Sequence, residues 1–153
     1  TFYKSPAQFP DFGDYSMAER TYRHMKDDPL YPFGYGLSYT EYSLRSLSYD
    51  SASHIVSGVI ENKGNQRCNI TAPAIIQVYL THFDSSGYEQ KRLIGTTRIS
   101  TDKESAFSIQ IDPFWMRRFD TKSQRMKPLS NTSEYKIAVG LNSNVIVIID
   151  NRR

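Results

Sequence analysis

The chain of 153 residues has one cysteine, only a small excess of positive charge and no long apolar run. A single cysteine, Cys68, excludes a disulfide within the chain, and no histidine stands near it in sequence to activate the thiol. Nineteen Lys and Arg against sixteen Asp and Glu leave a net charge of +3, which is too small and too dispersed to indicate a nucleic acid or a membrane as partner. The longest apolar run, NVIVIID, has the length of a strand and not of a membrane span.

Two further features are missing at the first residues. The opening TFYKSPAQFP has neither an initiator Met nor the basic and apolar regions of a signal peptide, so we expect a piece of a longer or processed product. The densest basic stretches, KSQRMK and the final NRR, are short, and we interpret them as solvated surface.

The sequence also lacks residues spaced for catalysis or for metal binding. His24, His54 and His82 stand singly, without the short regular spacing of metal ligands. The carboxylates that could form a catalytic pair fall mostly in predicted turns, where Asp is favoured for its local backbone hydrogen bonds. They are Asp27, Asp28, Asp84, Asp112 and Asp120. We therefore predict no catalytic residue, no cofactor and no metal in this chain.

Two triplets, NIT at Asn69 and NTS at Asn131, match the acceptor pattern for N-glycosylation. Such triplets arise often by chance, so they carry information only for a secreted eukaryotic protein.

Residues 1–36 are rich in Pro, Gly, Asp and aromatic residues and show neither strand nor helix periodicity. A disordered linker would be poor in aromatics, because it buries nothing. We therefore predict an extended irregular arm that lies on a surface. Within it, YSMAERTYRHMK has the length for one or two helical turns but no convincing cap, so we expect it to be irregular.

From residue 37 to 153 the pattern changes to short β-prone runs separated by turn residues. SAFSIQID alternates strictly, APAIIQVYLTHF is continuous enough for a central strand covered on both faces, and EYKIAVG and NVIVIID flank the polar turn LNSN as in a hairpin. Seven such runs predict an all-β, immunoglobulin-like sandwich of about seven strands. Tyr135 enters a late strand after a polar turn, which fits either a tyrosine corner or an ordinary half-buried strand aromatic.

The stretch RTYRHMKDDPLYPFGYGLSYTEY resembles the segment by which glycoside hydrolase family 3 enzymes enter their C-terminal fibronectin type III-like domain. IENKG, IIQVYL and EYKIAVGLNSNVIVI fall where that domain carries its asparagine-glycine turn, central strand and last hairpin, so the resemblance spans the whole chain. GNQRCNITAPA is longer and more polar than usual, and LIGTTRIS lacks a common aromatic.

The resemblance implies a non-catalytic accessory domain that braces the catalytic domains of a retaining exo-β-glycosidase. In the family the catalytic Asp and Glu lie upstream, so no residue here inherits a catalytic role. The RTYR form is similar to β-xylosidase-like members more than to glucosidase-like ones. By the same analogy we expect the upstream barrel and α/β sandwich domains as partners, oligosaccharide or polysaccharide near the entrance, and a periplasmic or secreted location.

If the resemblance holds, the arm aromatics bury themselves on the upstream domains, with arginines and Asp27 or Asp28 as interface charges. The candidate interdomain residues are Arg20, Tyr22, Arg23, Tyr31, Phe33 and Tyr35. We expect Pro32, Gly34 and Gly36 to shape the backbone there.

Two alternatives stay open. A strip formed by Tyr31, Phe33, Tyr35 and Tyr39 is a candidate for stacking on polysaccharide, as in a carbohydrate-binding module. A fibronectin-type protein-interaction module would instead present a regular unpaired edge strand.

Overall fold

The computed structural model describes residues 2–64, 72–83, 89–130, 132–144 and 146–149. The remaining residues include Cys68, Asn69, Asp84 and Asn131, so the expectations for these four lie outside the described residues.

The described residues form nine strands in two sheets and one separate hairpin. The strands are β1 (Tyr42–Asp50), β2 (Ile55–Asn62), β3 (Ala74–Phe83), β4 (Glu89–Ile99), β5 (Glu104–Gln110), β6 (Arg117–Asp120), β7 (Arg125–Pro128), β8 (Tyr135–Gly140) and β9 (Ile146–Ile149). One sheet has the order β1-β2-β5, the other has the order β4-β3-β8-β9, and all pairs are antiparallel. The predicted all-β sandwich is confirmed, and its seven strands correspond to the seven predicted runs.

The inner faces of the two sheets form the core because apolar residues recur at every second position. In β5, Phe107 and Ile109 are buried while Ser108 and Gln110 are exposed, as the strict alternation predicts. In β3, Ile76 and Leu80 face the core and are fully buried. The strand lies between β4 and β8, as predicted for a central strand.

Tyr135 lies in this core and contributes to the contact between the two sheets. It is buried at the start of β8, and its hydroxyl lies beside that of Tyr49 on β1. Burial first, and then the Tyr135 hydroxyl, raise the pKa of Tyr49. The Tyr49 hydroxyl also lies 2.8 Å from Nδ1 of His54. The Tyr135 hydroxyl thus contacts a side chain of the opposite sheet, that of Tyr49.

The β6–β7 hairpin was not predicted. Each of its strands has four residues, and Phe119 and Met126, its opposed apolar pair, are both exposed. A strand that buries little shows no usable periodicity in sequence. KSQRMK, interpreted as solvated surface, forms most of the turn and the start of β7, and its residues are exposed.

The arm before the first sheet strand is irregular apart from a 3-10 turn at Pro6–Gln8 and one helical turn, α1 (Thr21–His24). Phe2 pairs with Tyr31 in an isolated bridge, so the start of the arm folds back on its later part. The sequence placed the boundary between arm and sandwich at residue 36. The first sheet strand, β1, begins at Tyr42, so the exact boundary stays a prediction.

Among the described residues no helix is long and apolar enough to cross a membrane.

Candidate docking surface

The stretch PLYPFGYGLSYT contains one tight turn. The Tyr35 amide donates to the Pro32 carbonyl over 3.0 Å, and Gly34 has φ of +84°. A turn with positive φ at its third residue selects glycine, because other side chains are strained there. The prediction that Pro32 and Gly34 shape the backbone therefore has a local explanation.

Gly34 also permits a close approach to the outer face of the β4-β3-β8-β9 sheet. A Cβ at Gly34 would lie 2.4 Å from Nε2 of Gln77 on β3, which is closer than real Cβ contacts. Gly36 differs, because a Cβ there would meet no heavy atom within 4 Å and its φ is not positive. Of the two glycines, only Gly34 is demanded by its surroundings.

Backbone and side-chain hydrogen bonds fix the arm to the loop between β8 and β9. The Phe33 amide donates to Oγ of Ser143 over 3.1 Å, and the Ser143 amide donates to the Phe33 carbonyl over 2.8 Å. Nδ2 of Asn144 donates to Oδ1 of Asp28 over 3.0 Å. The polar turn LNSN thus closes the last hairpin and also holds the arm.

An aromatic group seals the middle of the outer face. Tyr22 stacks on Phe33 with ring centroids 5.0 Å apart, and it meets Tyr79 of β3 edge-on at 5.9 Å. Tyr79 points away from the core, yet its exposed fraction is 0 %, and that of Gln77 is 4 %. The arm therefore buries the part of the outer face of β3 that carries Gln77 and Tyr79.

The two covered side chains, Gln77 and Tyr79, form a hydrogen bond with each other. The Tyr79 hydroxyl donates to Oε1 of Gln77 over 2.5 Å, which matters because a buried polar group without a partner costs free energy. Burial first, and then the neighbouring Tyr22, raise the pKa of Tyr79. Sequence reasoning did not single out Gln77, Tyr79 or Ser143. The available signal was the nearly continuous apolar run around Gln77, from which the sequence predicted a strand covered on both faces without showing which segment covers the outer one.

The structure places the six candidate interdomain residues in two groups. Tyr22 and Phe33 contact the chain's own sheet, whereas the Tyr31 and Tyr35 rings are exposed and lie 5.1 Å apart, tilted by 36°. Arg20 donates from Nε and Nη2 to the carbonyls of Ser16 and Asp14 within the arm, and Arg23 is exposed.

Most arm aromatics and several apolar neighbours are exposed. The exposed large apolar residues of the arm and its end are Phe2, Phe9, Phe12, Tyr15, Met17, Leu30, Tyr31, Phe33, Tyr35, Leu37 and Tyr39. We call this set the arm surface. Large apolar exposure is typical of surfaces that bind a partner, because monomeric proteins rarely leave large apolar patches in water.

The rings of the arm surface do not form a flat platform. Phe2 meets Tyr31 at 85°, Tyr3 meets Phe9 at 85°, and Tyr31 meets Tyr35 at 36°. Edge-to-face contacts are typical of aromatic packing between protein groups. This geometry fits a protein partner better than a row of stacked sugar rings.

Three of the candidate carboxylates that the structure describes make hydrogen bonds that hold turns or the arm. Asp112 accepts a hydrogen bond from the Phe114 amide, Asp120 accepts from Ser123 and pairs with Lys127, and Asp28 accepts from Asn144. Among the described residues no group of three or more His, Cys, Asp or Glu could hold a metal ion.

Relatives of the chain are glycosidases. No family model matches it. A xylan 1,4-β-xylosidase of Xylanibacter ruminicola is 32 % identical over 149 residues, covering 94 % of this chain and 16 % of that enzyme. A putative β-xylosidase of Formosa agariphila is 31 % identical over 142 residues, covering 84 % of this chain and 18 % of that protein. The chain thus spans less than a fifth of the length of these relatives.

Solved glycosidases share its fold. The β-D-glucoside glucohydrolase of Trichoderma reesei superposes with a TM-score of 0.70 at 23 % identity, over 98 % of this chain and 26 % of that one. A glycoside hydrolase family 3 β-glucosidase of Bifidobacterium adolescentis gives 0.60 at 20 % identity, over 78 % of this chain and 18 % of that one. The chain therefore belongs, as one small domain, to the glycoside hydrolase family 3 enzymes of the β-xylosidase and β-glucosidase type.

Proposed function

We propose that this chain is the non-catalytic, C-terminal fibronectin type III-like domain of a retaining exo-β-glycosidase, and that it braces the catalytic domains. The single observation that carries the proposal is the arm surface, which leaves eleven large apolar side chains exposed in a domain whose relatives are more than five times its length. Burial of that surface against the barrel and α/β sandwich domains would stabilise both partners.

The role of the arm follows from how it is held. Its middle, from α1 to the Gly34 turn, is fixed on the domain's own outer sheet face. The exposed rings are thereby presented on a rigid base, so less conformational entropy is lost when they dock. The arm acts as the joint through which the domain braces the enzyme.

The catalytic carboxylates belong to the rest of the parent in this proposal. A retaining glycosidase needs two carboxyl groups about 5 Å apart, one of them with a raised pKa. The pKa values of Asp14, Asp50 and Asp120 are instead lowered, chiefly by local hydrogen bonds, which suits turn residues and not a general acid. We propose β-xylosides as the parent's substrates, because the two relatives above 30 % identity bear β-xylosidase names.

The direct test is hydrolysis of aryl β-xyloside and aryl β-glucoside by the chain alone, by the upstream domains alone and by their mixture. We expect the chain alone to be inert and the mixture to exceed the upstream domains, with faster turnover of the xyloside. Turnover by the rigorously purified chain would contradict the proposal. A mixture no more active than the upstream domains would contradict the bracing role.

Location follows the proposed substrate. Polysaccharide-degrading members of the family are commonly exported, so we propose a periplasmic or secreted parent. Immunodetection of the parent in culture medium, periplasm and cytoplasm checks this, and a purely cytoplasmic signal would contradict it.

A further inference from the structure

A second exposed apolar surface lies on the β6–β7 hairpin. Phe119 and Met126 on the hairpin, and Phe114 and Trp115 in the 3-10 turn just before it, are exposed, with 58 % of Phe114 and 45 % of Met126 in contact with solvent. Phe119 and Met126 are cross-strand partners, and the Arg117 guanidinium lies 5.9 Å from the centre of the Phe114 ring. We call this set, with Arg117, the hairpin surface.

The base of the hairpin is fixed firmly. Met116 and Leu129, which flank its strands, are buried in the core and joined by a backbone hydrogen bond of 2.9 Å. Nη2 of Arg92, on β4, donates to the carbonyls of Trp115 and Arg117. A surface built on such an anchor is presented in a fixed orientation.

Arg92 also connects the hairpin with the arm. The helical turn α1 packs against β4, and Tyr22 accepts a hydrogen bond from the Leu93 amide. Burial first, and then the nearby Arg23 of the arm, lower the pKa of Arg92. The arm and the hairpin surface therefore meet along β4, an edge strand of its sheet.

Positive charge concentrates along this edge. None of the ion pairs between described residues involves Arg23, Arg92 or Arg117. On the opposite hairpin face Arg118 pairs with Glu134 and Lys127 with Asp120, while Arg125 belongs to none of the ion pairs between described residues. Beside the exposed apolar residues, the three arginines along β4 and the hairpin all lie outside those ion pairs.

We propose that the hairpin surface continues the docking interface of the arm, and that it packs on an apolar patch bearing carboxylates on the rest of the parent enzyme. The inference rests on the proposed function and deepens it by naming the partner's chemistry. Phe114 and Trp115 meet at 81°, which fits protein packing and offers no flat face to a polysaccharide. Guanidinium groups that lie beside apolar residues suit an interface with carboxylates.

The test is cysteine labelling in the complete enzyme, with maleimide and peptide mass spectrometry. Met126→Cys is the test position, and Arg125→Cys is the matched control, because the neighbouring residue is exposed on the opposite hairpin face. Tyr31→Cys reports on the arm surface. We expect Met126→Cys and Tyr31→Cys to react about tenfold or more slowly than Arg125→Cys, as buried sites do.

The outcomes separate the two proposals. Fast labelling at Met126→Cys with slow labelling at Tyr31→Cys overturns this inference and leaves the arm interface standing, and fast labelling at both overturns both. If Met126→Cys labels fast and glucuronoxylan slows it while unsubstituted xylan does not, the surface is a polysaccharide site and the inference is wrong.

Charge reversal gives a second readout. Arg117→Glu should shift the thermal inactivation midpoint of the complete enzyme downward, and the shift should shrink in 0.5 M NaCl because salt screens the charges. Arg125→Gln, on the opposite hairpin face, should leave the midpoint nearly unchanged, because it removes a positive charge without placing a carboxylate opposite Asp120. Equal shifts for both variants would contradict the inference.

Discussion

At the scale of the residue, the two glycines of the linking stretch have different tasks. Gly34 needs a positive φ and space beside Gln77, whereas Gly36 needs neither. The sequence predicted the same turn role for both glycines, because the pattern FGYG does not show which of them packs against another segment of the chain. The distinction required the position of Gln77, a residue more than forty positions further along.

Gly34→Ala should cost about 1–3 kcal/mol in the free energy that holds the arm on the sheet, since strain at positive φ adds to the contact with Gln77. Gly36→Ala is the control and should change stability by no more than about 0.5 kcal/mol. Urea unfolding, combined with proteolysis of the arm, measures both. Equal effects of the two variants would contradict the assigned turn.

The burial of Tyr79 predicts that the domain loses folding stability at alkaline pH. Its folded pKa is raised, so its contribution to stability is fully present below the unfolded pKa of about 10 and is lost as pH rises towards the folded pKa. Between pH 9 and 12 the unfolding free energy of the Tyr79→Phe variant should therefore fall by less than that of the unmodified chain. Unfolding free energies across that range measure it, and parallel curves for the two proteins would count against burial of the phenol.

At the scale of the element, the strands were predictable and the arm contacts were not. Alternation in β5 and the apolar run of β3 identified their inner faces because those faces are buried by the opposite sheet. The sequence predicted cover on both faces of β3, but not that the arm provides it over Tyr79, because an irregular segment has no periodicity to detect. The β6–β7 hairpin was not predicted for a related reason: its opposed apolar pair is exposed, so its strands show no alternation of buried and exposed residues.

Two neighbouring residues of β3 test the sandwich directly. Ile76 is 0 % exposed and Ile75 is 44 % exposed, on opposite faces of one strand. Ile76→Ala should destabilise the domain by about 2–5 kcal/mol through lost contacts and a cavity. Ile75→Ala should cost much less. Chemical denaturation compares them, and a larger loss at Ile75 would reverse the assigned faces.

The hairpin turn makes a prediction in acid. The hydrogen bond with Lys127 first, and then that from Ser123, lower the pKa of Asp120. A lowered folded pKa means that the stabilisation is present above the unfolded pKa of about 4 and is lost as pH falls through the folded value. Amide shifts of residues 117–128 should therefore change in acid, and in Asp120→Asn they should not. A carboxyl midpoint at or above 4 would contradict the ion pair.

At the scale of the whole molecule, the resemblance to glycoside hydrolase family 3 is confirmed, as are the sandwich and its strands. The candidate interdomain residues stay a prediction. Aromatic residues can be recognised in a sequence, but the surface that we propose covers them would belong to other parts of the enzyme. For that reason Tyr31 and Tyr35 could be singled out, while the arm's attachment through Phe33 and Ser143 could not.

The measurement that tests the central claim most directly is amide hydrogen exchange of residues 2–39 in the complete enzyme and in the chain alone. If the arm is the joint to the catalytic domains, these amides should exchange about tenfold or more slowly in the complete enzyme, while those of β3 exchange slowly in both. Equal exchange of the arm in the two proteins would show that it docks on no other domain and would contradict the account.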